Sequence, residues 1–427
     1  MNLIATPFYD RRFMSLTLAI VICLILLINV SFKIIVIHGL FFTANSVLCS
    51  LIAGLYLLVL KNCNLMQQRQ VLNQSLLALY LFSIGVYLLL NLPSIGNIRN
   101  TLAYQIVFEE IPRKFFSSTI AFGISFYLPH LLVSSRYPQV FNSPHKCMLL
   151  SLLGGYTFFS IDFLLLFSEP YTKNFGLIYM DSLLITASIL LLIGISFLTY
   201  ILTLHNSKTF TKPDYFFNPY YHYLTGLAVI VLLICFACEY RLISLGDHRI
   251  IAANGILFPF TMLISSLVGE LFGYRANLYL IFIMISAELV FDLLFLSTIL
   301  LPSPDFFNLN PYYSFIMPKR IPMMTLAILI AFSSNAFLLE KFNKNNYVTS
   351  RFIRILTASM LANTLLCIIN YTILFAGIYP YEELFNLSLS GWVYKFVVTL
   401  FSLPFVLYLY NKLQKKTEIT NLKLATC

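Results

Sequence analysis

Uninterrupted apolar runs recur along the whole chain, and short polar loops separate them. Most runs are about 20 residues long, the length that an α-helix needs to cross a hydrocarbon core of roughly 30 Å. Backbone groups in a bilayer must be satisfied within the protein, so continuous runs predict helices, whereas a membrane barrel would need alternating positions. The predicted spans are 13–32, 39–60, 71–93, 115–135, 147–168, 181–204, 222–240, 251–272, 278–301, 321–340, 355–378 and 391–411. The pattern therefore predicts an all-α polytopic membrane protein with about 12 transmembrane helices.

Composition supports the lipid bilayer as the main contact partner. Hydrophobic residues make up 59% of the 427 residues, charged residues only 10%, and the mean hydropathy is +0.84. A soluble domain carries about 25% charged residues, so this chain has too few to cover a water-facing surface. The net charge of +10 lies in the loops between spans. This is typical of a membrane protein, so we expect no nucleic-acid partner.

The distribution of Lys and Arg predicts the orientation. Basic residues are more frequent in alternate loops, and cytoplasmic loops are the ones enriched in them. Both termini are therefore predicted to be cytoplasmic, which requires an even number of helices. The first span follows Arg11 and Arg12 and lacks a small-residue cleavage site, so it is predicted to be a retained helix rather than a signal peptide.

The chain also repeats itself, with a first repeat predicted at 1–210 and a second at 211–427. Three pairs of similar stretches support the repeat: 39–54 beside 255–269, Glu110–Pro112 beside Arg320–Pro322, and Asp162 beside Asn370. Because each half has an even number of spans, the two six-helix repeats are predicted to be parallel. They would form a pseudo-dimer within one chain.

Polar side chains inside spans are costly, so they are candidates for function. Glu288 and Asp292 are four residues apart and share one helix face, which suits ion or proton coupling, or a counter-charge for a basic residue. Glu270 and Lys395 lie near span ends, where snorkelling to the interface is the alternative explanation. The other polar residues in or beside spans are Asn29, Lys33, Asn45, Asn91, Asp162, Asp181, Asn335, Asn363 and Asn370.

We expect neither a metal nor a cofactor. Cys235 and Cys238 form a C-x-x-C pair, but no second pair or histidine cluster accompanies it. No phosphate-binding G-x-x-x-x-G-K-[ST] loop occurs either.

Four stretches of the second half carry a family likeness: Glu239–Arg241 followed by Gly255–Phe260, Leu263–Arg275, Arg320–Ile321, and Lys395 with Pro404 and Tyr410–Leu413. These stretches resemble the putative vitamin uptake transporter family, whose characterised members take up queuosine precursors. The resemblance implies a membrane importer, not an enzyme, for a small planar polar solute of the 7-deazaguanine type. It also implies a bacterial inner membrane, and a substrate site formed by Ser266, Glu270, Arg320, Asn363 and Lys395.

The sequence departs from the family pattern at two of these positions. Ser266 stands where the family usually has an aspartate, and Asn363 replaces another acidic residue. Both keep hydrogen bonding but lose charge, which leaves the solute and any proton coupling open. The first half has the Asn29 and Lys33 opening, but Thr186 and Ile195 fall near the places of Lys395 and Pro404, so it looks like a diverged copy.

Three alternatives remain at this point. The chain could transport a different vitamin-like solute. It could be an intramembrane enzyme of envelope polysaccharide or lipid metabolism, although its outside loops are short and its six histidines are not clustered. It could also be a membrane anchor without transport, which would leave the cost of burying Glu288 and Asp292 unexplained.

Overall fold

The computed structural model describes residues 11–94, 98–108, 110–167, 175–204, 218–239, 241–244, 250–316, 323–344, 350–374 and 380–425. The first half contains α1 (Arg11–Val30), β1 (Ile34–Ile37), β2 (Leu40–Thr43), α2 (Ala44–Asn62), α3 (Leu65–Asn91), α4 (Ile98–Phe108), α5 (Ile111–Phe122), α6 (Leu128–Arg136), α7 (Pro144–Leu166) and α8 (Phe175–Leu204). The second half contains α9 (Pro219–Ala237), β3 (Leu242–Ser244), β4 (Ile250–Ala252), α10 (Asn254–Phe272), α11 (Tyr274–Leu300), α12 (Asn310–Ile316), α13 (Met323–Lys344), α14 (Arg351–Leu374) and α15 (Tyr381–Ala425).

Twelve helical stretches within these ranges are long and apolar enough to cross a membrane. In the first half α5 and α6 run on through a π-helical turn at Gly123–Tyr127 and so belong to one of these stretches. The other stretches are α1, α2, α3, α7, α8, α9, α10, α11, α13, α14 and α15, some of them trimmed at an end. The predicted all-α polytopic membrane fold is confirmed.

Both halves repeat one order of elements. Each has a helix, a β-hairpin, two long helices, a short helix and then three further membrane-crossing segments. The alignment of 39–54 with 255–269 that was proposed from sequence is wrong in register. Gly39 lies in a hairpin turn, whereas Gly255 lies in the first turn of α10. The backbone N–H of Ala44 donates to Lys33 O, and that of Ala253 donates to Arg241 O, so Ala44 is the structural counterpart of Ala253.

Because of the hairpins, two predicted spans begin too early. Residues 39–43 of the span 39–60 and residues 251–253 of the span 251–272 are not part of a membrane helix. Strand β1 pairs antiparallel with β2, from Ile34 opposite Thr43 to Ile37 opposite Leu40. The two-residue turn has positive φ at His38 (50°) and at Gly39 (84°), as hairpin turns that match the strand twist require. The strands are as apolar as the helices that flank them, so hydropathy alone could not separate the two.

Two compact units are present, and each contains one segment from the other half of the sequence. Unit 1 comprises 1–83, 107–219 and 294–313, and in it α2 packs against α1, α7 and α8. Unit 2 comprises 84–106, 220–293 and 314–427, and in it α10 packs against α13, α14 and α15.

A Leu-Pro-Ser stretch lies in each exchanged segment, at 92–94 and at 301–303. In unit 2 the Arg241 guanidinium donates to Leu92 O at 2.9 Å, and Ser244 N donates to Pro93 O at 2.9 Å. In unit 1 the Lys33 ammonium donates to Leu301 O at 2.9 Å, and Val36 N donates to Pro302 O at 3.0 Å. The two units therefore hold equivalent segments with equivalent bonds.

Candidate functional site

The structure places four of the five predicted substrate residues on three neighbouring helices of unit 2. Ser266 and Glu270 lie one turn apart on α10, Asn363 lies on α14 and Lys395 lies on α15. Ser266, Asn363 and Lys395 are buried. Arg320 lies outside the described residues.

One face of α14 carries a line of polar side chains, which we call the α14 stripe: Arg354, Ser359, Asn363, Cys367 and Tyr371. The last four recur every fourth residue, so they lie above one another on the helix. At 1.5 Å per residue, the line from Ser359 to Tyr371 covers roughly 18 Å, more than half of a hydrocarbon core. All five side chains are buried, so the stripe faces protein.

The middle of the stripe belongs to a cluster of neutral polar groups from three helices, which we call the amide cluster: Ser266, Asn335, Ser359 and Asn363. Ser266 Oγ lies 3.2 Å from Ser359 Oγ and accepts a hydrogen bond from Asn335 Nδ2 at 2.9 Å. Ser266 therefore joins α10 to both α13 and α14. Each of these four side chains is fully buried.

Several atoms of the amide cluster have no hydrogen-bond partner among the described residues. They are both Nδ2 and Oδ1 of Asn363, and Oδ1 of Asn335. A buried polar group without a partner costs about 1–3 kcal/mol, so native structures contain few of them. The cluster thus offers one amide donor and two amide acceptors that a bound polar molecule could satisfy.

Glu270 and Arg354 form an ion pair one turn further toward the start of α14. Arg354 Nη2 lies 3.1 Å from Glu270 Oε2, and the side chains are 10% and 5% exposed. Beside this pair is a small open cleft, whose wall includes Glu270, Tyr274, Asn277 and Asn343. Glu270 is therefore buried against a basic partner but close to an opening.

Lys395 lies toward the other end of the stripe. Its Nζ is 3.4 Å from Cys367 Sγ and 5.6 Å from the ring centroids of both Phe258 and Tyr371. Pro259 has no N–H to donate to the Gly255 carbonyl one turn earlier, and Gly255 lies beside the Lys395 side chain. Lys395 is 2% exposed, so at this position it does not snorkel to a membrane surface.

Glycine at 391 allows the close packing at this end. A Cβ built there would clash with the Tyr371 hydroxyl. Helix α15 can therefore approach α14 one turn before Lys395, which brings the ammonium to the stripe. Pro404 follows within the same helix and leaves the carbonyl of Leu400 without its usual donor.

Glu288 and Asp292 lie on α11, and each is 1% exposed. Their shared helix face is buried, in keeping with the four-residue spacing. Their assignment to ion or proton coupling stays a prediction.

Sequence reasoning missed the contributions of Ser359, Cys367, Tyr371 and Thr399. Thr399 follows Lys395 by one turn on α15, and its buried Oγ1 also lacks a partner among the described residues. A usable signal was present, because Ser359, Asn363, Cys367 and Tyr371 recur at intervals of four within one predicted span. Serine and cysteine are common in membrane helices, which hides this spacing from a search for charged residues.

Fold and site together define a multi-pass membrane protein with a buried polar site among the helices of its second half. Residues 252–409 match the family described as putative vitamin uptake transporter, which confirms the resemblance expected from sequence. The match covers α10 to most of α15 and so includes the α14 stripe. No curated protein and no solved structure matches the chain.

Proposed function

We propose that this protein imports a small planar polar solute, a queuosine precursor of the 7-deazaguanine type, through the second half of the chain. The observation that carries the proposal is the buried amide of Asn363, which lies one turn after Ser359 on α14, has no partner among the described residues, and falls inside the segment that matches a transporter family.

The amide cluster is chemically suited to the edge of a deazapurine. A carboxamide presents a donor and an acceptor side by side, as the ring edge of such a base does. Two bonds from Asn363 and one from Asn335 would satisfy all three unpartnered amide atoms. Ser266 and Asn363 are neutral at positions where the family pattern has acidic residues. Neutral side chains also suit an uncharged ring.

The residues at the two ends of the stripe would then lie at the limits of the solute site. Lys395, between Phe258 and Tyr371, would donate to a ring acceptor, while the aromatic faces pack against the planar solute. Glu270 would accept from exocyclic N–H groups only if its bond to Arg354 opened, so we assign the pair to the boundary of the site. Glu288 and Asp292 remain the proposed coupling residues.

The proposal includes a location and an orientation. We place the protein in a bacterial inner membrane with both termini in the cytoplasm, on the basis of the loop charges and the family match. Because the sequence contains no phosphate-binding G-x-x-x-x-G-K-[ST] loop, the energy for import would come from a gradient, from a separate ATPase subunit, or from downhill flow with trapping inside the cell.

The test uses a bacterium that neither makes nor imports 7-deazaguanine precursors. The full chain is expressed there, precursor is supplied at low concentration, and queuosine in tRNA is scored by its boronate mobility shift. We expect wild type to restore the modification and Asn363→Leu to lose it. Thr357→Val, an apolar replacement on the exposed face of the same helix, is the matched control and should behave as wild type.

Either of two results would overturn the proposal. Absence of modification despite verified membrane insertion would exclude this solute class and leave a different vitamin-like solute. Restoration by Asn363→Leu at wild-type levels would show that transport does not depend on the amide cluster.

A further inference from the structure

Asp162 in the first half is a buried carboxylate whose partners are all neutral. It lies in α7 and is fully buried in unit 1. Its Oδ1 accepts hydrogen bonds from Ser117 Oγ at 2.9 Å and Ser118 Oγ at 3.0 Å, and its Oδ2 accepts one from Asn45 Nδ2 at 2.7 Å. We call these four side chains the Asp162 cluster.

The carboxylate has no ion-pair partner among the described residues. Lys114, the buried ammonium one turn before Ser117 and Ser118, donates instead to Val107 O and lies over the Phe32 ring. Asn45 lies in the first turn of α2, whose positive end carries only about half an elementary charge. Much of the negative charge therefore stays uncompensated in a helix that crosses the membrane, where it is expensive.

The Asp162 cluster also holds an acceptor that no described residue satisfies. Asn45 Oδ1 is fully buried and has no hydrogen-bond partner in the described part of the chain, although the Nδ2 of the same amide contacts Asp162. Two residues earlier, the buried Thr43 Oγ1 is unpartnered as well. Acceptor oxygens beside an uncompensated carboxylate are an arrangement that a cation would satisfy and a further anion would not.

The second half has the opposite charge at the corresponding positions. Asn370 stands where the first half has Asp162, and Lys395 stands near the place of Thr186. The second half thus has a fixed ammonium and a neutral amide, whereas the first half has a carboxylate and a hydroxyl. The first half carries no side-chain cation at this place in its repeat.

We propose that the Asp162 cluster is a sodium-ion site. The ligands would be the Asp162 carboxylate and Asn45 Oδ1, with the Ser117 and Ser118 hydroxyl oxygens turned from donating to coordinating. All of these are oxygen ligands, which hard cations prefer. Contacts of 2.7–3.0 Å enclose the carboxylate closely, which excludes an organic cation.

The inference goes beyond the proposed function, because ion binding to the first half can be measured without any solute. The full-length protein is purified in detergent, and thermal unfolding is followed by circular dichroism. NaCl is titrated against choline chloride at constant ionic strength and pH, and a parallel series uses KCl. A pH series without sodium separates proton uptake from sodium binding.

We expect sodium to raise the melting temperature saturably, by about 2–4 °C, and more than potassium does. Asp162→Asn should abolish the sodium response, and Asn45→Ala should raise the half-maximal sodium concentration at least about tenfold. Asp181→Asn is the matched control: this carboxylate of the same unit accepts a bond from Phe41 N and lies outside the cluster, so the response should persist.

Three results would overturn the proposal. One is a wild-type protein that responds to protons but not to sodium, and another is an equal response to potassium. The third is a sodium response that survives in Asp162→Asn. If Asp162→Asn fails to fold, an unchanged half-maximal concentration in Asn45→Ala refutes the site. None of these results bears on solute import, which the tRNA assay measures separately.

Discussion

At the scale of single residues, the second half keeps buried amide atoms without partners where apolar side chains would be more stable. Asn363 is the clearest case, because neither its donor nor its acceptor is satisfied among the described residues. Each unsatisfied group costs about 1–3 kcal/mol in the empty protein. Such a cost is expected at a binding site, where the ligand supplies the missing bonds.

The first prediction separates function from stability at this residue. Asn363→Leu removes two unsatisfied atoms and keeps a side chain branched at the same position, so the melting temperature of the empty protein should stay equal or rise. Solute uptake should fall at least about tenfold, the effect of losing about 1.4 kcal/mol of binding. Thermal melts and uptake are measured on the same preparations. A marked loss of stability would mean that the amide has a structural partner.

The second prediction concerns the ion pair of Glu270 and Arg354. Glu270→Gln leaves a largely buried guanidinium without its carboxylate, which should lower stability by about 3 kcal/mol. The double variant Glu270→Gln/Arg354→Gln removes both charges and should recover most of that loss. Melting temperatures of the two single variants and the double variant complete the cycle. Additive effects would show that the two side chains do not stabilise each other.

The same cycle reports on the predicted substrate role of Glu270. If the carboxylate also contacts solute, the double variant should recover stability while uptake stays low. Recovery of both would confine Glu270 to a structural role.

At the scale of elements, each hairpin and the basic residue before it hold a Leu-Pro-Ser stretch by its backbone carbonyls. Burial lowers the pKa of Lys33 to about 8 and also lowers the pKa of Arg241. Both side chains nevertheless stay positively charged and donate hydrogen bonds at neutral pH. Backbone oxygens therefore provide the partial negative charge that a carboxylate would otherwise supply.

The third prediction follows from these bonds. Arg241→Gln and Lys33→Gln should each lower stability by about 2 kcal/mol, since hydrogen bonds to charged groups contribute about 1.5–3 kcal/mol. Arg241→Lys should cost less, because one donor can still reach a carbonyl. Lys344→Gln is the control, since its ammonium is 72% exposed in a surface pair with Glu340. Equal melting temperatures for Arg241→Gln and this control would contradict the role of the bonds.

The elements also show what hydropathy can and cannot predict. Twelve spans and their order were predictable, because helix length and apolar content are fixed by the bilayer. The hairpins were not, since Ile34–Ile37 is as apolar as the helices and its register depends on a turn of two residues with positive φ. The short helices α4 and α12 fall in stretches that were predicted only as loops.

The candidate site was predictable in part. Ser266, Asn363 and Lys395 were identified through a family resemblance, and the structure brings their helices together. The partner of Glu270 could not be predicted, because Arg354 is 84 residues away in sequence. The unpartnered state of Asn363 depends on three-dimensional neighbours, which a sequence pattern does not contain.

At the scale of the whole molecule, each compact unit is completed by a segment of the other sequence half. Residues 211–427 by themselves lack 84–106, which supplies the carbonyls that Arg241 binds. Each sequence half therefore contributes one segment to the unit that the other half mainly forms. The predicted repeat boundary near residue 210 remains a prediction.

The fourth prediction tests this exchange of segments between the two sequence halves. When 1–210 and 211–427 are expressed together as separate chains, they should co-purify and show a single melting transition. Expressed alone, 211–427 should melt at least about 5 °C lower, because several buried bonds of its unit are missing. An unchanged melting temperature for 211–427 alone would show that 84–106 contributes little to its unit.

The central claim is that the amide cluster binds the transported solute, and uptake into proteoliposomes tests it most directly. Wild type, Asn363→Leu and Thr357→Val are reconstituted at equal density, and entry of radiolabelled 7-deazaguanine precursor is followed with time. Saturable uptake by wild type and Thr357→Val, with at least about a tenfold loss in Asn363→Leu, is the predicted result. Equal uptake by all three proteins, or by empty liposomes, would contradict the account.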